Sequence, residues 1–360
     1  MKNCRIITSL LFSIIIIFSS CKKTDANLPL KGVDADNTNS SGSFGTKKQL
    51  GTTSYMINDI SVKNSDIYLV GNFSSFAGIS SHGIIVFHET SQTFSKYYSN
   101  LNTCSVRSFL STSSEDYIGG NFTYSSGGTT AYIASKSYTS STFNTVGGTL
   151  NGDVRVMKQD GSNVYYAGNF YYLNGSYCSR LLYQNNGIGY QFGTSLYSNY
   201  DYVYDIEKFG SNWYIGGSIS SGNILYSLGG SWTRVGNGFD GHVNDLEVFN
   251  NNLYAAGNMT SDYLYSNSPM NYVNKLNGYN WGKVGSNNLP DGCNDIEMNN
   301  GIIYACGNGY LYYLDTDSNT WKNKLANTLT VGDLKKIRFV NGRLYAIEVS
   351  GGNYNFISIY

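Results

Sequence analysis

The sequence predicts an all-β chain: a seven-bladed β-propeller of four-stranded antiparallel blades, the last closed by a strand from the N-terminal side. Three observations predict it. A short anchor segment returns seven times, at intervals of 40 to 50 residues. Around each anchor the apolar side chains are spaced as in a hairpin with two further strands. The composition is that of strands and tight turns, with 33 Tyr, 41 Gly and only 3 Pro in 360 residues. Tyr suits half-buried strands, and Gly with Asn and Ser supplies turns. Beyond the N-terminal segment, no stretch keeps a helical period.

The chain opens with an export signal. Lys2 and Arg5 form a basic start, Ile6 to Phe18 is an apolar run, and Ser19-Ser20 precede Cys21. These are the three parts of a secretory leader, expected over residues 1–20. As a membrane span the run is short of the roughly 20 residues that a crossing helix needs. Cys after small residues resembles the bacterial lipobox, which implies lipidation of Cys21. The Cys21-Lys22-Lys23 opening resembles lipoproteins of the Bacteroidetes group. That implies outer-membrane residence, facing the periplasm or the cell surface. Residues 21–45, rich in Asn, Ser and Gly, read as a flexible tether. Residues 46–360 are left for the propeller.

The repeat is anchored on Tyr68-Leu69-Val70-Gly71, Tyr117-Ile118-Gly119-Gly120, Tyr165-Tyr166-Ala167-Gly168, Tyr214-Ile215-Gly216-Gly217, Tyr254-Ala255-Ala256-Gly257 and Tyr304-Ala305-Cys306-Gly307. A seventh copy, Tyr345-Ala346-Ile347-Glu348, has Glu in place of Gly. Eleven residues before each anchor lies an apolar side chain: Ile60, Phe109, Met157, Ile206, Leu246, Ile296 and Ile337. Three residues further back lies another: Ile57, Val106, Val154, Val203, Val243, Cys293 and Leu334. Turn residues such as Asn300-Gly301 and Asn341-Gly342 separate the two strands, so each copy begins as a hairpin. A third and a fourth strand follow, as at 271–276 and in Trp281-Gly282-Lys283-Val284-Gly285. Four strands per 40–50 residues is the signature of a propeller blade.

The seventh copy has strands near 334–340, 343–349 and 354–358, and the chain then stops. Lys48-Gln49-Leu50-Gly51 matches the end of a fourth strand. An N-terminal strand is therefore expected to complete the last blade and remove the ring's free edges.

The double glycines Gly119-Gly120 and Gly216-Gly217, and the segment Tyr313-Leu314-Asp315-Thr316-Asp317-Ser318-Asn319-Thr320-Trp321, resemble the kelch repeat. The chain is thus similar to divergent kelch propellers, such as the central domain of galactose oxidase. The resemblance implies a scaffold whose members bind proteins, bind glycans, or carry oxidase or epimerase chemistry; it does not fix one activity.

Charge says little about partners. Lys and Arg number 24, as do Asp and Glu, and loss of Lys2 and Arg5 with the leader leaves a slight acidic excess. Nothing in that balance calls for nucleic acid. The three histidines, His82, His88 and His242, fall into no zinc spacing, and there is no Cys-x-x-Cys. No metal and no cofactor is expected.

Candidate ligand residues lie on the first strands. Asp59, Asp205, Asp245 and Asp295 share one repeat position, and Glu207, Glu247 and Glu297 lie two residues later. First strands line the channel of a propeller, so blades 4 to 6 bring six carboxylates to it. Blades 2, 3 and 7 offer Arg107, Arg155, Lys158, Lys335, Lys336 and Arg338 at matching places. Such a channel can bind a cation or a sugar. Equally, its charges can join blades through salt bridges and Asp-to-backbone bonds, which is the reading that regular repetition favours. The anchor tyrosines are expected in the core. Tyr171, Tyr172, Tyr197, Tyr200, Tyr202, Tyr263 and Tyr265 fall near loops, where ring faces suit sugar C–H groups, although ordinary loop packing is the reading that scattered surface aromatics favour. Cys293 and Cys306 face each other across the sixth hairpin, so either a disulfide or two buried thiols is expected there. The pairing of Cys104 and Cys178 stays open.

The expected function is that of a cell-envelope binding module for a glycan or protein, tied to the membrane through its lipid and otherwise monomeric. A carbohydrate-active enzyme using channel carboxylates such as Asp205 or Glu247, and a structural subunit of an envelope complex, are the alternatives.

Overall fold

The computed structural model describes residues 42–360, except residues 98, 126, 127, 129, 195–200 and 265–268. Cys21, the leader and residues 21–41 lie outside the described residues, as do Tyr197, Tyr200 and Tyr265. The described chain folds as a seven-bladed β-propeller. Its innermost strands are Ile57–Lys63, Leu101–Ser111, Val154–Asp160, Tyr202–Phe209, Val243–Phe249, Cys293–Asn299 and Asp333–Val340. Each starts a four-stranded antiparallel sheet, and successive innermost strands touch around the ring, the seventh meeting the first.

The ring closes as the sequence predicts. Lys47–Thr53 is the outermost strand of blade 7 and pairs with Asn353–Ile359, with Lys47 opposite Ile359 and Thr53 opposite Tyr354. Just ahead of it, Phe44 forms a bridge with Leu325 in the link between blades 6 and 7. Two small hairpins were not anticipated. Ser75–Phe76 with Ile79–Ser80, and Tyr172–Leu173 with Ser176–Tyr177, extend the loops after the second strands of blades 1 and 3.

The spacing of three between paired apolar residues has a structural cause. In a regular strand, residues three apart point to opposite faces. Here every innermost strand carries a bulge, at Ile57/Asp59, Val106/Ser108, Val154/Val156, Val203/Asp205, Val243/Asp245, Cys293/Asp295 and Leu334/Lys336. The extra residue returns the two apolar side chains to one face. It also explains the anchor glycine. A Cβ on Gly217 would lie 2.0 Å from the Tyr202 carbonyl oxygen at the bulge, and one on Gly168 would lie 2.0 Å from that of Asp153.

The core is divided among the seven blade interfaces, each with its own cluster of buried apolar side chains. One anchor tyrosine enters each cluster, and all seven are at most 9% exposed. Full burial of a large apolar side chain is worth about 1.5–3 kcal/mol, so no blade is stable without neighbours. The kelch-like Trp321 serves the same end: its Nε1 donates to the Val284 carbonyl of blade 5 at 2.8 Å.

Cys293 and Cys306 are free, buried thiols, the second of the two expectations for this pair. The bulge sets Asp295, not Cys293, opposite Cys306. Cys293 therefore packs toward blade 5 and Cys306 toward blade 7, in different clusters. Cys104 and Cys178 are also free.

Candidate functional site

The bulges build the channel. Their extra residues are Asn58, Arg107, Arg155, Tyr204, Asn244, Asn294 and Lys335, and all seven line one cavity of about 790 Å³ on the channel axis. Asp59, Asp205, Asp245, Lys158, Glu247, Lys336 and Arg338 line the same cavity. Of the carboxylates that the sequence assigns to the channel, Asp59, Asp205, Asp245 and Glu247 line this cavity, and Asp295, Glu207 and Glu297 do not. The sequence reading puts Arg107, Arg155 and Lys335 on channel strands but does not anticipate the bulge ring to which they belong, although the repeated Asn-Asp pairs at 58–59, 244–245 and 294–295 are the signal.

Three of the aspartates act as clamps between blades. The Leu246 N–H donates to Asp205 Oδ2 at 2.8 Å, Ile296 N–H to Asp245 Oδ2 at 3.1 Å, and Ile337 N–H to Asp295 Oδ2 at 2.8 Å. Each backbone donor follows the bulge of the next blade. The bulge asparagines make a parallel series, with Asn58, Asn244 and Asn294 side chains donating to the carbonyls of Val106, Cys293 and Leu334. These bonds satisfy backbone groups that the bulges would otherwise leave unpaired.

Charge pairing follows the arc of the ring. Asp295, with no side-chain exposure, takes Lys336 Nζ and Arg338 Nη1, each at 2.8 Å. Lys336 also reaches Asp245 at 3.6 Å, and Arg338 reaches Glu297 at 3.5 Å. From the other side, Lys158 pairs with Glu207. Glu247, in the middle of the acidic arc, makes no ion pair among the described residues. Burial there, with Glu207 and Glu297 on either side, pushes the Glu247 carboxyl up to about 7, against the pull of Lys158 and Arg338. Burial, reinforced by Asp295, also holds Asp245 well above the usual carboxylate range. Asp59 is raised by burial as well, against the pull of Lys336 and Arg338.

The mouth on the bulge side is cationic over blades 2 and 3. Arg107 Nε donates to Asp153 at 3.2 Å. The Arg155 guanidinium lies 5.4 Å from the ring centre of Tyr204, which in turn meets His242 edge-on at 6.2 Å. The blade 3 hairpin adds a cluster of three rings, with Tyr172 and Tyr177 4.6 Å apart and Tyr171 5.0 Å from Tyr172. Tyr202 is half-buried and Tyr263 is exposed beneath Arg234.

Comparison with known proteins supports the fold and nothing narrower. No family model matches the chain, and no curated protein matches it. Solved structures do match. The chain is similar to YCF48 bound to D1 peptide, with a TM-score of 0.58 at 14% identity over 88% of this chain and 94% of that one. It is similar to the WD40 β-propeller domain of Doa1, with a TM-score of 0.55 at 11% identity over 86% and 96%. It is similar to the extracellular domain of BT4673 from B. thetaiotaomicron, with a TM-score of 0.57 at 12% identity over 84% of this chain but only 38% of that one.

Proposed function

We propose that the chain is a lipid-anchored protein of the bacterial outer envelope whose propeller is a binding module for a glycan or protein ligand. Propellers commonly serve as binding or scaffold modules. The observation that carries the reading is the division of labour in the channel. Asp205, Asp245 and Asp295 are spent on joining blades. The bulge residues Arg107, Arg155, Tyr204 and Lys335 present guanidinium, phenol and ammonium groups to a cavity of about 790 Å³. A concave site with a few convergent polar groups is what recognition needs.

The remaining parts of the proposal rest on the sequence. Residues 1–20 are the leader, Cys21 carries the lipid, and residues 21–45 are the tether. The blades are of divergent kelch type, supported by Trp321 and by the Gly216-Gly217 pair. A Cβ on Gly216 would meet Val243 of blade 5 at 2.5 Å, so that glycine serves blade packing and Gly217 serves the bulge. The envelope reading is consistent with an extracellular domain among the structural relatives.

One observation favours a second reading, a carbohydrate-active enzyme. Burial raises the carboxyls of both Glu207 and Glu247, the latter to about 7, and a carboxyl that keeps its proton toward neutral pH can serve as a general acid. A glycan and protein array on the purified chain, run beside a reducing-sugar release assay, tests both. Binding without release supports the module; sugar release that Glu247→Gln abolishes would establish the enzyme. Cys21→Ser should move the protein from the membrane to the soluble fraction, and unchanged membrane residence would refute the anchor.

A further inference from the structure

Arg107 and Arg155 occupy the bulge position of neighbouring blades, at the same end of the channel. Arg107 is provided for. Its Nε meets Asp153 at 3.2 Å and its Nη1 meets Asn58 Oδ1 at 3.3 Å. Arg155 is not. Its Nε is buried and meets no acceptor among the described residues, and the guanidinium forms no ion pair there. Its close companion is the ring of Tyr204. Asp153, the acid beside it, is already engaged by Arg107. A guanidinium is a planar fork of donors suited to two oxygens of a carboxylate. Held half out of water beside a second guanidinium, with its buried Nε unmatched, Arg155 carries a desolvation cost that an anion at its terminal nitrogens, on the cavity side, would offset. Burial and the repulsion of Arg107 both lower its proton affinity, which agrees with the geometry.

We propose that Arg155, with Arg107 and Tyr204, is the carboxylate subsite of this propeller, and that its ligand is an acidic glycan bearing uronate groups. The inference rests on the binding-module reading and narrows it to a substrate class. The carboxylate is read by Arg155. The sugar is favoured over an acidic peptide by the aromatic surface on the same face of the ring. Tyr171, Tyr172 and Tyr177 stand on the hairpin of the blade that carries Arg155, and Tyr177 is 60% exposed. Phenol rings stack on the C–H faces of sugars and hydrogen-bond their hydroxyls.

The test uses the purified full chain and three probes in calorimetric titration: trigalacturonate, its methyl ester, and an acidic tripeptide. Trigalacturonate is expected to bind, at least tenfold more tightly than the uncharged ester, and more weakly as salt rises. Arg155→Met should cut that affinity at least tenfold without lowering the melting temperature, because it removes an unsatisfied charge. Asp153→Asn should tighten binding by freeing Arg107. Failure of trigalacturonate to bind, equal binding of acid and ester, or an unchanged affinity in Arg155→Met overturns the proposal. Carboxylate-dependent binding of the tripeptide alone overturns the glycan class. The binding-module reading falls separately, if neither glycan nor protein binds on the array.

Discussion

Glu348 and Lys47 are 301 residues apart in sequence and 2.8 Å apart in space, joined by an ion pair across the seam of the ring. Glu348 stands where the other six blades have their anchor glycine. Its carboxylate also accepts from the Gly332 N–H at 2.8 Å and from Asn355 at 3.3 Å. The one departure from the anchor glycine is thus a residue that ties the N-terminal strand to the last blade.

Closure should depend on that carboxylate more than on its basic partner. Glu348 is 1% exposed and removal strands buried donors, so Glu348→Ala is expected to cost about 2 kcal/mol. Lys47 is partly exposed, and Lys47→Ala should cost under about 1 kcal/mol. Urea unfolding of the two variants checks the order; equal losses would contradict it.

The clamp aspartates should differ in weight. Asp295→Asn leaves Lys336 and Arg338 without their shared buried acid, and about 3–5 kcal/mol of stability should go. Asp205→Asn weakens a bond to one backbone N–H and should cost about 1 kcal/mol. Similar midpoints in guanidinium for both variants would show that the charge cluster contributes little.

Glu247 gives the ring a pH dependence of known sign. Its carboxyl is raised to about 7 in the folded chain, above its ordinary value of 4.5. Between those values the unfolded chain loses the proton first, so this group's stabilising effect, complete at lower pH, is lost as pH rises toward 7 and beyond. Glu247→Gln should therefore raise the melting temperature at pH 8 and leave it nearly unchanged at pH 4. A variant that melts lower than the parent at pH 8 would reverse the argument.

The buried thiols should be silent in the native chain. Burial raises the Cys178 thiol to about 11 and that of Cys104 to about 12, and lifts Cys293 and Cys306 as well. Titration with Ellman's reagent at pH 8 should report no rapid reaction of these four until denaturant is added. Prompt native labelling of Cys293 or Cys306 would mean that the interfaces with blades 5 or 7 open readily.

Much of this was legible in the residues. The anchor tyrosines, the hairpin turns and the strand near Leu50 were each readable, because strands and turns impose local patterns that seven copies repeat. Cys293 and Cys306 do not face each other as strand counting expects, for a physical reason. Counting along a strand assumes strict alternation, and a bulge breaks alternation by one residue. The inserted hairpins were missed because two-residue strands leave almost no periodic signal. Leu173-Asn174-Gly175-Ser176 does carry a turn, with Asn174 and Gly175 both at positive φ.

The sequence by itself determined the number of blades, their order, the buried apolar positions of each innermost strand and the closing strand, since these follow from short-range spacing and from the count of copies. Only the tertiary structure decided what the channel residues do. Whether Asp245 clamps a blade, Glu247 keeps a proton or Arg155 is left without an acceptor depends on which charges the neighbouring blades bring within a few ångströms. Those neighbours lie 40 to 50 residues away in the chain, or across the seam between its two ends. Electrostatic energy depends on distance and burial, and neither can be read from one blade alone.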